Sequence, residues 1–200
     1  MVNKVPFFFI FIYSRIKKII YINMDKKIMF TGAQGTGKTT LIYSTMESYE
    51  NTPVSINGIR DLIKKYKLDH SENSNETTQT KIFNYYKKLV RDNKTLVCDR
   101  SLIDVFAYTL SLYKHFKVSE DYFKKQERAF AKFVKENKDI TYCYFPIEFK
   151  VVNDGVRSID EEYRSEIDTN IKAILKTYNI DYIEISGSMD DRKNILYTII

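Results

Sequence analysis

The chain of 200 residues contains no tryptophan, only three prolines and six glycines, and two cysteines. The cysteines, Cys98 and Cys143, are too few for a disulfide framework or a zinc site, which excludes the usual disulfide-stapled secreted scaffolds. Each cysteine lies within an apolar run. Since buried free thiols are typical of reducing surroundings, the sequence predicts a cytoplasmic location.

The sequence also lacks a long hydrophobic run, although residues 1–23 are apolar and basic. The apolar run that begins at Val5 ends at Tyr13, well short of the roughly 20 residues that a transmembrane helix needs. No small-x-small cleavage site follows, so a secretory signal is not expected. Because a predicted strand follows Met24 almost directly, we expect translation to start there. The alternative is that residues 1–23 anchor the protein at a membrane surface.

The charge is moderately basic and dispersed. The chain has 32 basic and 26 acidic residues, a net charge of +6 and an isoelectric point of about 9.0. This balance favours polyanionic partners such as nucleotides, nucleic acid or acidic membranes. Since the lysines are interspersed with acidic residues, a solvated basic surface is the simpler interpretation. A nucleic-acid partner is therefore permitted but not favoured.

From residue 26 onward, short apolar segments alternate with segments of helical periodicity, which predicts an α/β domain over residues 24–200. Strands are predicted at 27–31, 53–56, 95–99, 140–145 and 182–185. Helices are predicted at 38–49, 59–66, 76–91, 102–116, 120–137, 160–178 and 190–200. The pattern indicates five strands in a mostly parallel sheet with helices on both faces.

The first predicted strand is followed by a glycine-rich phosphate-binding motif. Its residues are Gly32, Ala33, Gln34, Gly35, Thr36, Gly37, Lys38 and Thr39, followed by Thr40. They match G-x-x-x-x-G-K-[ST] between a strand and a helix, the context that the motif requires. The glycines let consecutive N–H groups surround phosphate oxygens, and the helix adds its positive N-terminus. We expect Lys38 to reach the β and γ phosphates of ATP and Thr39 to contact Mg²⁺.

The third predicted strand ends in Asp99, which is followed by Arg100 and Ser101. A carboxylate at this position suits a second Mg²⁺ contact, or it could accept the proton of an acceptor hydroxyl. The next residue is an arginine, whereas a mechanical ATPase normally has an acidic residue there to orient water. The pair favours a kinase in which Arg100 binds the substrate. The alternative for Asp99 is a helix N-cap, a role that Ser101 could also fill.

Three further arginines are candidate functional residues. Arg157 follows an Asp-Gly pair after the fourth predicted strand, and Arg164 lies in the helix beyond it. Both could close over the transferring phosphoryl group as a lid and stabilise its charge. The alternative for Arg164 is an i,i+3 ion pair with Glu161. Arg60, in the helix after the second strand, is a candidate substrate contact or an ordinary solvated charge.

Together these segments resemble a known family. GAQGTGKTT, IRDLIKKY, VCDRSLIDVFAY, DGVRSIDEEYR and YIEIS are similar to the P-loop kinase domains of the ribosylnicotinamide kinase part of NadR-type proteins, often described as AAA-type ATPase domains. The resemblance implies a three-layer P-loop fold with strand order 2-3-1-4-5, ATP and Mg²⁺ as cofactors, and a small acceptor. It implies phosphate binding by the glycine-rich loop and a substrate or metal role for Asp99. The Asp-Arg-Ser triplet is also similar to deoxynucleoside and thymidylate kinases.

The sequence therefore predicts an ATP-dependent kinase whose acceptor is a nucleoside, a nucleotide or nicotinamide riboside. In this hypothesis Lys38, Asp99, Arg157 and Arg164 are catalytic, and Arg60 and Arg100 bind the substrate. Two alternatives stay open: an NTPase or nucleotide-dependent switch without a small acceptor, and a kinase for the 5′ end of nucleic acid.

Overall fold

A computed structural model describes residues 26–49, 52–150 and 160–199 of the chain. Five parallel strands form one sheet in the order β2-β3-β1-β4-β5. They are β1 (Lys27–Thr31), β2 (Val54–Ser55), β3 (Leu96–Cys98), β4 (Ile140–Tyr144) and β5 (Tyr182–Glu184). The sequence prediction of five strands, and the strand order that the family resemblance implies, are both confirmed.

The helices of the described residues cover both faces of this sheet. They are α1 (Lys38–Ser44), α2 (Gly58–Tyr66), α3 (Glu76–Asp92), α4 (Leu102–Lys114), α5 (Glu120–Glu136), α6 (Glu161–Thr177) and α7 (Met189–Tyr197). Short 3-10 turns occupy Met46–Tyr49 and Ser71–Asn73. Helices α1 and α7 pack on one face and α3 to α6 on the other. The prediction of a three-layer α/β domain is therefore confirmed.

The central strand β1 supplies side chains to both layers. Ile28 and Phe30 belong to the core beneath α1 and α7, whereas Met29 belongs to the core beneath α3 to α6. Its neighbours β3 and β4 are buried apart from the half-buried Thr141. Near-continuous apolar strands are what a parallel sheet covered on both faces requires.

Aromatic side chains from the helices form much of the larger core. Phe106 of α4 stacks on Phe130 and Phe123 of α5, with ring centroids 4.6 and 5.8 Å apart. Tyr178, which follows α6, packs edge-on against Phe130 at 5.0 Å. The aromatic stripes of α4 and α5 thus serve the packing of the helices on one another.

Helix α1 is shorter than the predicted segment 38–49. The hydroxyl of Thr45 donates to the carbonyl oxygens of Leu41 and Ile42, at 2.8 and 3.3 Å, and Ser44 also donates to Leu41. Such side-chain bonds compete with the regular backbone ladder. The helix consequently ends at Ser44, and the chain continues as a 3-10 turn.

Candidate active site

The phosphate-binding motif forms the connection between β1 and α1, as its sequence predicts. Gly35 and Gly37 have φ angles of +70° and +87°, in the left-handed region that favours glycine. Gly32 is needed for a steric reason, because a Cβ on this residue would lie 2.5 Å from the carbonyl oxygen of Phe145. The loop therefore needs these glycines both for its curvature and for its close approach to the segment after β4.

Lys38 is buried at the start of α1, and its ammonium group lies within the loop. Nζ donates to the carbonyl oxygens of Gly32 and Ala33, each at 2.7 Å, and to the hydroxyl of Thr36 at 3.0 Å. An ammonium group held in this way is fixed beside the loop amides. It places a positive charge within the glycine-rich loop.

Thr39 and Asp99 meet at the carboxyl edge of the sheet. The Thr39 hydroxyl donates to Oδ2 of Asp99 at 2.6 Å, whereas Oδ1 of Asp99 is buried without a hydrogen-bond partner. A hydroxyl oxygen beside an unsatisfied carboxylate oxygen fits the preference of Mg²⁺ for oxygen ligands. Among the described residues, no three His, Cys, Asp or Glu side chains form a metal cluster.

Asp104 connects the segment after β3 to the phosphate-binding loop. Its Oδ1 accepts the N–H of Gly32 at 3.1 Å, and its Oδ2 accepts the N–H and hydroxyl of Ser101, each at 2.9 Å. Ser101 in turn caps α4, so Asp99 is not the N-cap of that helix. The Asp104 side chain is almost completely buried. From its position one turn after Asp99, the sequence left two interpretations for Asp104, a support behind the site or a solvent-facing residue; the structure shows it buried against the loop.

Arg100 lies beside this carboxylate and over an aromatic ring. Its Nη1 is 3.4 Å from Oδ1 of Asp104, and its guanidinium carbon is 5.8 Å from the ring centre of Tyr108. Burial acts to lower the pKa of Arg100, but Tyr108, Asp104 and Asp99 outweigh it and raise the pKa above its ordinary value. The group is a permanent cation at the edge of the site.

One cavity of about 610 Å³ joins the phosphate-binding loop to the space between α2 and α3. Lys38, Thr39, Asp99, Arg100 and Arg60 all line it. Beyond them the wall is apolar and aromatic with a few polar groups; it includes Ile59, Ile63, Gln79, Ile82, Tyr86, Val105 and Tyr108. This volume falls in the range of small-molecule sites. The cavity therefore extends from the glycine-rich loop to a separate end between α2 and α3.

The remaining motif residues also border the cavity or support the loop. Gln34 is buried, and its Oε1 accepts the hydroxyl of Tyr108 at 2.7 Å. The Thr36 hydroxyl donates to the carbonyl oxygen of Ala33 at 3.1 Å, so it braces the turn. Thr40 is exposed and lines the cavity.

Arg164 is completely buried and lies against the backbone of the loop. Its Nε donates to the carbonyl oxygen of Gln34 at 2.9 Å, and Nη2 donates to that of Gly35 at 3.3 Å. Nη1 contacts both the carbonyl oxygen of Phe149, at 2.8 Å, and the carboxylate of Glu161, at 3.1 Å. The ion pair with Glu161 that the sequence suggested is present. The other hydrogen bonds of the guanidinium group go to three backbone carbonyl oxygens, those of Gln34, Gly35 and Phe149. The predicted phosphoryl contact of Arg164 stays a prediction.

Two further predictions concern residues outside the described part of the chain. Arg157 and most of the predicted lid segment 153–164 lie there, as do residues 1–23. Among the described helices, none combines the length and the apolar character needed to cross a bilayer. Cys98 and Cys143 are buried free thiols, and burial raises the pKa of each to about 12. Both thiols are therefore protonated and unreactive at neutral pH.

A second buried arginine, Arg192 of α7, also contacts the loop. Its Nη1 donates to the carbonyl oxygen of Thr36 at 2.7 Å, and its Nε to that of Gly187 at 3.0 Å. Nη2 forms an ion pair with Glu148. Sequence analysis missed this residue, because nothing near Arg192 in the sequence indicates that its partner is the distant phosphate-binding loop.

Comparison with known protein families identifies the domain to which this chain belongs. A family model described as "AAA domain" matches residues 27–192. No curated protein is significantly similar to the chain. The residues matched by the family model cover most of the described domain, and they include the phosphate-binding loop, Arg164 and Arg192.

Solved structures with the same fold include a deoxyadenosine kinase and a NadR protein. A deoxyadenosine kinase from M. mycoides with bound dATP matches with a TM-score of 0.66 and 16% identity, over 87% of this chain and 98% of that one. A NadR protein in complex with NR matches with a TM-score of 0.65 and 18% identity, over 87% of this chain. The match spans only 50% of the NadR chain. At these identities the likeness establishes the fold alone, a parallel five-stranded P-loop α/β domain.

Proposed function

This chain belongs to the AAA domain family, and from that membership we propose that it is an ATP-dependent kinase for a small acceptor. The acceptor class is a nucleoside, a nucleotide or a ribosylnicotinamide-like compound. The observation that carries the proposal is the single cavity of about 610 Å³ that runs from the phosphate-binding loop past Asp99 and Arg100 to the walls of α2 and α3. A simple NTPase has no need for a second pocket continuous with its phosphate site.

The loop and Lys38 would hold the phosphates of ATP through backbone N–H groups and the ammonium charge. Lys38 now donates to the carbonyl oxygens of Gly32 and Ala33, each at 2.7 Å. Phosphate oxygens offer the ammonium group stronger, charge-assisted partners than these carbonyls. We therefore expect Lys38 to transfer at least one of its hydrogen bonds to the triphosphate on binding.

Thr39 and Asp99 are the residues that would hold Mg²⁺, which neutralises charge on the β and γ phosphates when it is bound. The unpartnered Oδ1 of Asp99 supports this assignment. The same carboxylate is also placed to accept a proton from an acceptor hydroxyl. We propose that the acceptor lies between Arg100, Tyr86 and Tyr108, with Arg60 at the α2 side of the cavity.

The walls of the acceptor end suit a planar ring attached to a polar group. Ile82 and Val105 face the cavity with two tyrosines, whereas Gln79 supplies a buried amide. That amide is itself fixed, since Nε2 donates to the Ser74 hydroxyl at 2.8 Å. Aromatic and aliphatic walls with a few fixed polar groups are typical of sites for small organic ligands. An ATP donor and two buried free thiols also agree with the predicted cytoplasmic location.

The test is acceptor-stimulated phosphotransfer with the full chain. Purified protein is incubated with ATP and Mg²⁺ and with a panel of nucleosides, nucleoside monophosphates and nicotinamide riboside. ADP and the phosphorylated acceptor are both quantified, and Lys38→Ala provides the background. We expect one class of acceptor to raise ADP release and to yield an equal amount of phosphorylated product. ADP release at one rate whatever is added would contradict the kinase and favour an NTPase or switch.

A further inference from the structure

The two largest fully buried side chains in the described part of the molecule are arginines, and both bind the phosphate-binding loop from behind. Arg164 of α6 is 0% exposed and Arg192 of α7 is 2% exposed. Neither is among the described residues that line the cavity. We propose that Arg192, together with Arg164, is a positioning residue that holds the loop in the conformation that binds a triphosphate. The inference rests on the proposed function for the identity of that ligand.

The geometry of the peptide group explains how hydrogen bonds to the carbonyl oxygens of the loop also orient its N–H groups. In a trans peptide the C=O of one residue and the N–H of the next point in opposite directions. Arg164 binds the carbonyl oxygens of Gln34 and Gly35, and Arg192 binds that of Thr36. The N–H groups of Gly35, Thr36 and Gly37 are therefore turned away from the two guanidinium groups. Successive N–H groups that point to one side form an anion-binding nest.

The guanidinium group of Arg192 is itself fixed by its other contacts. Nε donates to the carbonyl oxygen of Gly187, just before α7, at 3.0 Å. Nη2 forms an ion pair with the carboxylate of Glu148, which follows β4. The rings of Phe145 and Phe149 lie 5.8 and 5.1 Å from its central carbon. Three donors of one planar group are thus used in three directions. The ammonium group of a lysine cannot reproduce this fork, so the site is specific for arginine.

Arg192 also limits the space beside the loop. A Cβ built on Gly37 would lie 2.8 Å from Nη1 of Arg192. The guanidinium group therefore packs directly against the residue that precedes Lys38. Removal of the arginine would free the Thr36 carbonyl and leave an unfilled space beside Gly37, and both changes allow the peptides of the loop to rotate.

The decisive experiment compares ATP binding by Arg192→Gln with binding by a matched control, Leu196→Ala. Leu196 lies on the same helix, is fully buried and belongs to the core beneath α1 and α7. Both variants are expected to lower the melting temperature. Binding of ATP with Mg²⁺ is measured by calorimetry on the full chain. We expect Kd to rise about 10-fold or more for Arg192→Gln, since displacement of binding groups by about 1 Å is costly. Leu196→Ala should bind ATP with a Kd within about 2-fold of the wild type, since it leaves the loop contacts intact.

A second variant, Arg192→Lys, covers the case in which Arg192→Gln does not fold. It retains the charge but loses the fork, so we expect a Kd at least about 3-fold above that of the wild type. Wild-type affinity in whichever arginine variant folds, with a lowered melting temperature, would show a merely structural role and overturn the inference. If the wild-type chain binds no ATP, the proposed function fails together with this inference. If the wild type and a folded arginine variant bind equally, only this inference fails.

Discussion

The hydroxyl of Thr39 and Oδ2 of Asp99 are 2.6 Å apart, so a hydrogen bond joins the first turn of α1 to the end of β3. The two residues are 60 positions apart in the sequence and follow two different strands, β1 and β3. Because β1 and β3 are adjacent parallel strands, their carboxyl ends bring both oxygens to one place. The proposed Mg²⁺ position is thus a direct result of the strand order.

Asp99→Asn should weaken the use of Mg²⁺. The amide keeps the size of the side chain but loses the negative charge, so we expect the Mg²⁺ concentration for half-maximal activity to rise about 10-fold or more. The measurement is turnover as a function of Mg²⁺ at saturating ATP. Thr39→Ser, which retains the hydroxyl group, is the matched control and should stay close to the wild type. An unchanged Mg²⁺ dependence in Asp99→Asn would exclude the residue from the cation site.

Lys38→Ala should abolish phosphotransfer while leaving the fold in place. In the proposed function the ammonium group supplies charge at the transferring phosphoryl, and the loss of one such group costs about 10²- to 10³-fold in rate. Turnover is measured with the best acceptor, and circular dichroism reports the fold. Lys125→Ala, at an exposed position of α5, is the control and should leave turnover unchanged. Normal turnover by Lys38→Ala would contradict the assignment of the loop.

Gly32→Ala should damage both stability and ATP binding. The added Cβ would lie 2.5 Å from the carbonyl oxygen of Phe145, and neither backbone segment can move without disturbing β1 or β4. We expect a loss of about 1–3 kcal/mol in the free energy of unfolding. Denaturant titration measures this loss, and calorimetry measures ATP binding. A variant with wild-type stability and affinity would show that the loop approaches β4 less closely than the structure indicates.

The pair of Lys27 and Asp139 predicts a pH-dependent contribution to stability. The ammonium group of Lys27, 2.6 Å from Asp139, lowers the pKa of that carboxyl below its ordinary 3.8. A depressed pKa means that the contribution is present above pH 3.8 and is lost as the pH falls through the folded-state value. Asp139 is half-exposed, so Lys27→Met should cost only about 0.5–1 kcal/mol at pH 7.

The test is urea denaturation of the wild type and Lys27→Met at pH 7 and at pH 3. The difference in unfolding free energy should shrink toward zero at the lower pH. Lys132→Met removes a more exposed pair with Glu136, at 3.7 Å, and should have a smaller effect than Lys27→Met at pH 7. An equal difference for Lys27→Met at both pH values would show that the charge of Asp139 is not involved.

Much of the fold followed from local patterns. The apolar segment of β1 and the glycine motif directly after it predicted both a central strand and the loop. Helix starts were predictable where a capping side chain was present, as at Ser101 and Ser119. The end of α1 was not predictable, because the apolar spacing stays helical beyond it. The helix ends where the hydroxyl groups of Ser44 and Thr45 donate to the backbone carbonyl of Leu41.

The residues that hold the phosphate-binding loop in place were harder to predict from the sequence than the loop motif itself. Asp104 and Arg192 contact the loop across many intervening residues, and each has an ordinary explanation in its local sequence, as a cap and as a helix charge. Their roles depend on which strands are adjacent and which helix covers them. A motif specifies the groups that meet the ligand, whereas the residues that hold the motif are determined by tertiary packing.

The contact between Arg192 and the Thr36 carbonyl also has a consequence for biosynthesis. A ribosome releases the glycine motif early, but the helix that carries Arg192 emerges only after all five strands. A nascent chain that ends before residue 189 has the whole sheet yet lacks one of the two guanidinium groups behind the motif. We therefore expect full nucleotide affinity only after the helix that carries Arg192 has been synthesised, later than the five strands of the sheet.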